Sequence, residues 1–216
     1  MNLFSLFYLF VALVFWVLAL PFLLYKSRSN KYKDAIPARF FLKNNGAFKN
    51  KGIWFHTCSM GETKSIVPLI EQFDNVNLSV NTNTGFEEAK KHCQNVRYLP
   101  YELFLPFWVN QQKVLVVMEA ELWYMLFLMA KIRNTPTMLI NARISDKSHA
   151  SYLRFSWLYK RIFKNIDQVF AQSEVDKNRL EQLGASNVEV IGNIKLANLP
   201  KVTKSLEKQK ELLITA

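Results

Sequence analysis

No charged side chain precedes Lys26, and Leu3 to Leu24 form an apolar run broken only by Ser5 and Pro21. As a helix rising about 1.5 Å per residue, such a run is long enough to cross the roughly 30 Å hydrocarbon core of a bilayer. A cleaved signal peptide is the competing reading. Against it, the run has no basic segment before it, is long for the apolar part of a signal, and ends in Leu-Leu-Tyr-Lys instead of a small-x-small cleavage site. Residues 1–25 therefore read as a retained transmembrane signal anchor. Between Lys26 and Lys51 lie eight Lys or Arg and a single acid, Asp34. By the positive-inside rule that flank puts the rest of the chain in the cytoplasm, so a single-pass protein is expected. Residues 26–51 read as a basic juxtamembrane connector, with a short helix near Ala38–Leu42, lying against anionic membrane lipid.

The net charge of +11 also fits nucleic-acid binding. The chain has no zinc-finger spacing, no RNP-like aromatic motif and no recognisable helix-turn-helix, so no nucleic-acid partner is expected. An anionic membrane or a phosphorylated lipid is the better match to an anchored basic protein. Cys58 and Cys93 lack metal spacing and read as free thiols. His56, His92 and His149 show no ligand spacing, and no metal or cofactor is expected.

Beyond the connector, short apolar strands alternate with helical patterns. Strands are expected at Ile53–Cys58, Asn77–Asn81, Val96–Leu99, Lys113–Met118, Thr137–Ile140, Val169–Ala171 and Val188–Ile191. Helices are expected at Thr63–Phe73, Thr84–Cys93, Glu121–Arg133, Tyr152–Lys164 and Glu174–Leu183. This alternation, with near-continuous apolar strands, predicts an α/β, Rossmann-like parallel sheet covered on both faces over residues 52–198. The Gly-x-Gly-x-x-Gly fingerprint is missing, so no dinucleotide is expected. Residues 199–216 read as a linker followed by the first strand of a truncated second domain.

Four segments fall at the expected carboxyl ends of strands, where open α/β sheets bind ligands. In His56-Thr57-Cys58-Ser59-Met60-Gly61-Glu62 a strand turns at small residues into a helix, presenting a carboxylate and free backbone N–H groups. Glu62 is thus a candidate catalytic base; the alternative is an ordinary βα loop whose acid favours the positive end of the helix dipole. In Asn81-Thr82-Asn83-Thr84-Gly85, Thr84 and Gly85 sit at a helix entrance that can hold a phosphate or sugar hydroxyls, or simply cap the helix. Glu119 and Glu121 are too close in sequence to be two core carboxylates, and can accept hydrogen bonds from hydroxyls or an Arg. Arg143 can pair with a carboxylate or a phosphate.

In order and spacing, the segments WFHTCSMGE, NTNTG, RYLPYE, VLVVMEAELW, LINARIS and VIGNIK resemble the amino-terminal half of the Kdo transferases, the 3-deoxy-D-manno-octulosonate transferases of lipopolysaccharide biosynthesis. The resemblance covers nearly the whole chain. It implies a GT-B glycosyltransferase of two Rossmann-like domains, of which this chain supplies the acceptor-binding one. The implied reaction transfers Kdo from CMP-Kdo to the lipid A precursor at the cytoplasmic face of a bacterial inner membrane, without a metal. The resemblance also implies that Glu62 is the catalytic base. It places Ser59, Gly61, Thr84, Gly85, Glu119, Glu121, Arg143 and Lys195 in the acceptor site. The CMP-Kdo site would lie mostly outside this chain, so the 216 residues alone are expected to be inactive. An alternative is a membrane-anchored module that binds the lipid A precursor, or an inactive remnant without a donor domain. Two departures stand out: Tyr124-Met125 where the family has Pro-Asn, and Glu102 where Asp is more usual. The cluster Phe104, Leu105, Phe107 and Trp108 reads either as core or as side chains dipping into lipid.

Overall fold

The computed structural model describes residues 1–119 and 121–197. The linker and strand expected over 199–216 lie outside the described residues. Among the described residues seven strands form one sheet: β1 (Ile53–Thr57), β2 (Val76–Val80), β3 (Asn95–Tyr98), β4 (Val114–Met118), β5 (Thr137–Ala142), β6 (Gln168–Ala171) and β7 (Val188–Val190). All neighbours are parallel, in the order β3-β2-β1-β4-β5-β6-β7. The chain thus builds outward from β1 to β3, then returns to the other side of β1 to add β4. That reversal splits the connecting helices at the carboxyl ends of β1 and β4, as ligand-binding crevices of open α/β sheets require.

Among the described residues ten α-helices accompany the sheet: α1 (Leu3–Lys26), α2 (Ala35–Phe41), α3 (Met60–Ile70), α4 (Asn83–Lys90), α5 (Leu105–Trp108), α6 (Tyr124–Ile132), α7 (Asp146–Arg154), α8 (Ser156–Phe163), α9 (Glu174–Gln182) and α10 (Ile194–Ala197). The strand pleat divides the core in two. In β4, Leu115 and Val117 face one layer with α5, α6, α8 and α9. Val116 and Met118 face the other with α2, α3 and α4. Both faces of the central strands are therefore buried, which explains their unbroken apolar runs. The single helix expected over 152–164 is two helices. Ser145 caps α7 by accepting Ser148 N–H at 3.2 Å, and the chain breaks at Phe155 before α8.

The aromatic cluster divides as well. Leu105 and Trp108 are core, with Trp108 Nε1 donating to Asn45 O at 2.8 Å. Phe104 meets Trp16 edge-on at 5.8 Å, and only Phe107 stands free, 85% exposed. The lipid-facing reading is thus wrong for Leu105 and Trp108, because the chain folds back over β4 there and needs their volume to close the core.

α1 has the length and apolarity of the expected anchor and is docked along the domain. Asn2 caps it, accepting Ser5 N–H at 2.9 Å. Ser5 Oγ shares a 2.9 Å hydrogen bond with Tyr124 OH, Tyr8 OH donates to Glu102, Ala12 O accepts from Tyr101 OH at 3.1 Å, and Trp16 Nε1 donates to Phe40 O at 3.0 Å. Glu102 holds this junction together. Its other oxygen accepts Met125 N–H at 2.8 Å, satisfying a free donor in the first turn of α6, whose N-cap residue Trp123 has no capping side chain. Burial pushes the Glu102 carboxyl up to about 7 from its ordinary 4.5, against the opposing effect of the hydrogen bonds from Tyr8 and Met125.

Between those two values the folded chain binds more protons than the unfolded one. Stability is then fully present below 4.5 and is lost as pH rises through about 7. Glu102→Gln keeps an acceptor for Met125 and removes the titration. The melting temperature of the native chain should therefore fall relative to Glu102→Gln as pH rises from 4.5 to about 7 in thermal unfolding. Parallel pH profiles would contradict it.

Candidate active site

The loop after β1 is built by its own sequence. Ser59 is the extended N-cap of α3, and its Oγ accepts Glu62 N–H at 3.3 Å. The Glu62 side chain reaches back, with one oxygen accepting Cys58 N–H at 2.7 Å and the other accepting Ser59 Oγ–H at 3.0 Å. This Ser-x-x-Glu reciprocity is a variant of the capping box in which the Glu reaches the N–H one residue before the N-cap. Beneath it, Thr57 and Thr63 share a 2.8 Å hydroxyl bond that pins the first turn. Each carboxylate oxygen offers about two lone pairs, so one on each remains for a ligand proton.

Glu62 is half-buried, and burial is the largest influence on its carboxyl, raising its pKa above the ordinary 4.5. The bonds from Cys58 and Ser59 oppose the shift; the negative charges of Glu119 and Glu121 add to it. The structure thus brings three of the expected acids into one electrostatic group across the β1–β4 crevice. Burial alone would raise Glu121 too, but the polar groups that face it, His56, Trp123 and Cys58, hold it below the ordinary carboxylate value. Its partners are Trp123 Nε1 at 2.6 Å and Asn81 Nδ2 at 2.9 Å, with His56 Nε2 at 3.9 Å. Burial, then Glu121 and Glu62, push the Cys58 thiol up to about 12, so Cys58 is a neutral thiol and no nucleophile.

On the β5 side, Glu119 follows β4 with a left-handed backbone, φ 57°. Its carboxylate pairs with Lys195 and takes a long 3.4 Å contact from Asn141 Nδ2. Asn141, also left-handed at φ 53°, uses its Oδ1 to accept Ile194 N–H at 3.1 Å, which brings α10 and Lys195 to the crevice. Arg143 is exposed and shares a small cleft with Glu119, Ser145 and Tyr152. Glu62, Glu119, Glu121 and Lys195 therefore meet in one place, with Arg143 at its rim.

Thr84 and Gly85 have different environments. Thr84 is exposed and lines a cleft of about 840 Å³ with Phe22, Lys26, Lys31, Arg39 and Phe40, between the end of α1, α2 and the start of α4. Gly85 is buried and serves packing. A Cβ there would stand 3.0 Å from Thr82 Oγ1 and 3.3 Å from the Ser59 carbonyl carbon. The missing side chain lets the amino ends of α3 and α4 lie side by side, which concentrates positive dipole at the crevice. Gly61 is the opposite case: a Cβ there would meet nothing nearer than Ser59 Oγ at 3.9 Å, so the space above it is open.

Sequence reasoning missed Arg39, which it offers only as one basic residue of the connector. Arg39 Nε donates to Leu99 O at 3.0 Å and one terminal nitrogen to Asn81 O at 3.2 Å. The guanidinium is thereby fixed at the cleft with donors to spare. Nothing local marks it, because both acceptors are backbone carbonyls distant in sequence.

Residues 34–198 match the family model described as 3-Deoxy-D-manno-octulosonic-acid transferase (kdotransferase). The chain is 30% identical over 186 residues to the 3-deoxy-D-manno-octulosonic acid transferase of Haemophilus influenzae, covering 78% of this chain and 43% of that protein. It is 28% identical over 226 residues to the enzyme of the same name from Chlamydia pneumoniae, covering 96% and 52%. A bifunctional glycosyltransferase/methyltransferase of Fusobacterium nucleatum is 30% identical over 174 residues, covering 73% and 27%. The chain spans about half the length of these curated relatives, or less.

The two glycines should respond oppositely to a methyl group. Gly85→Ala should destabilise the fold by about 1–3 kcal/mol, as overpacking does, and so lower the urea midpoint. Gly61→Ala, in open space in the first turn of α3, should leave stability unchanged or raise it by up to about 1 kcal/mol. Equal losses would show that the crevice above Gly61 is filled by the protein itself.

Proposed function

The chain belongs to the 3-deoxy-D-manno-octulosonic-acid transferase family, and from that premise we propose that it supplies the acceptor half and the catalytic base of a Kdo transferase. In this reading, CMP-Kdo is the donor and the lipid A precursor the acceptor. A sugar hydroxyl of the acceptor attacks the anomeric carbon of Kdo. The new carbon–oxygen bond forms as the bond to the CMP phosphate breaks, and Glu62 takes the hydroxyl proton.

The observation that carries the reading is the Glu62 carboxylate itself. It stands at the β1–β4 crevice with a raised pKa, aimed by Cys58 and Ser59, with a lone pair unused on each oxygen. A general base works best when its pKa approaches the working pH. Ser59 orients the carboxylate, and the open space above Gly61 admits the hydroxyl. Glu121 accepts from acceptor hydroxyls, while Glu119 holds Lys195 so that its ammonium and the Arg143 guanidinium meet an anionic group. Thr84 and the basic wall of Lys26, Lys31 and Arg39 receive the acceptor's phosphate. Gly85 contributes only by allowing the two helix ends to meet. The protein is held at the cytoplasmic face of a bacterial inner membrane by α1 and the basic connector, against anionic lipid.

The test is Glu62→Gln, assayed with CMP-Kdo and lipid A precursor after fusion to the carboxyl-terminal half of a longer relative such as that of Haemophilus influenzae. Gln keeps the capping acceptor and loses the proton acceptor. Transfer should fall by about 10²–10⁴ while the fold and acceptor binding persist. The base must be ionised, so transfer by the unsubstituted protein should fall as pH drops through the raised Glu62 pKa. That acid limb should vanish in Glu62→Gln. Transfer at an undiminished rate would leave Glu62 a helix cap only. Acceptor binding without transfer by the unsubstituted fusion would favour a binding module.

A further inference from the structure

α1 is apolar on all sides, so its sequence does not distinguish a face that meets protein from one that meets lipid. The structure does. Ser5, Tyr8, Ala12, Trp16 and Leu23 recur at intervals of three, four or seven and all turn toward the domain. The stripe between Ser5 and Leu23 is about 27 Å long at the helical rise. It is held by hydrogen bonds to Tyr124, Glu102, Tyr101 and Phe40, and the Arg161 guanidinium lies 4.5 Å over the Phe4 ring. The opposite face, with Leu6, Phe10, Leu13, Val17 and Leu18, is exposed.

Spanning and docking exclude each other. The stripe is nearly as long as the hydrocarbon core is thick. A helix that crossed the bilayer with these contacts intact would carry Glu102, Arg39 and Arg161 into hydrocarbon, where charged groups are costly. If α1 left the domain instead, Glu102 would lose the Tyr8 hydroxyl and Tyr124 its partner Ser5.

We propose that α1 stays docked and lies in the plane of the membrane, its outer face sunk in one leaflet, so that the protein is monotopic and does not span. The occupant of the exposed face is an anionic lipid surface. Lys26 ends the helix, Arg28, Lys31 and Lys33 follow it, and together they supply the complementary charge at headgroup level. Trp157, half exposed and edge-on to Phe4 at 5.9 Å, extends the face with an aromatic of the kind that favours the interface. The inference rests on the membrane attachment proposed above and is independent of the chemistry assigned to Glu62.

The test uses the full chain bound to vesicles of phosphatidylethanolamine with a minority of phosphatidylglycerol. Spin labels are placed singly at Phe7→Cys, Val14→Cys and Leu18→Cys in a Cys58→Ala, Cys93→Ala background, and their depth is read from relaxation by oxygen and by a water-soluble nickel complex. The in-plane helix should give one shallow depth at all three positions. It should also leave an amino-terminal peptide tag as open to external protease as the domain. A depth that peaks at Val14, with the tag protected while the domain is digested, would overturn the proposal in favour of a spanning helix. Labels shielded from lipid and coupled to each other between chains would overturn it in favour of a second copy as the occupant.

Discussion

Adding β4 beside β1, after the chain has already run outward to β3, leaves the carboxyl ends of two neighbouring strands with connections that diverge to opposite faces. Everything polar in the domain's centre depends on that opening. Main-chain groups at the ends of β1 and β4 have no helix directly over them. Donors and carboxylates can gather there without being sealed in the apolar layers on either side of the sheet. Glu62 enters from β1, Glu119 and Glu121 from β4, and the neighbouring strands add Asn81 and Asn141. Three acids held this close raise the cost of ionising at least one of them. The fold answers by giving Glu121 enough donors to stay charged and leaving Glu62 with two and a raised pKa.

In the proposed reading the same carboxylate serves structure and chemistry at once. As a capping-box residue Glu62 satisfies a backbone donor just before α3 and the hydroxyl of the N-cap serine. Those bonds fix its direction, which is what a base needs before any substrate arrives. A helix cap and an oriented base are therefore one geometry. The acid alone does not separate the two readings; its surroundings do. An ordinary cap on a protein surface is well solvated, whereas this one is half-buried and faces two other carboxylates.

Sequence periodicity made the sheet legible because central parallel strands bury both faces and so read as unbroken apolar runs. Strand order is a different matter. Nothing in the spacing of β3 and β4 says that the chain crosses back over β1, yet the crevice exists only because it does. Glu62, Glu119 and Glu121 were readable as residues at strand ends. Their mutual coupling was not, nor was the ion pair of Lys195 with Glu119, because left-handed turns at Glu119 and Asn141 bring β4, β5 and α10 together. Thr84 and Gly85, adjacent in sequence, have unlike roles because one points into a cleft and the other lies under a neighbouring helix. The seat of α1 was hidden for a simpler reason: both of its faces are apolar. The place of Tyr124 becomes intelligible only when its hydroxyl is seen against Ser5.

The central claim is that the crevice holds Glu62 as a carboxylate whose pKa is raised by burial first and by its acidic neighbours second. The most direct measurement is a ¹³C NMR titration of the glutamate carboxyl carbons, with the Glu62 signal assigned by its loss in Glu62→Gln. The account requires a midpoint above the ordinary 4.5 that moves down when Glu121 is replaced by Gln. A midpoint at or below 4.5, or one indifferent to Glu121, would contradict it and return Glu62 to the role of a helix cap.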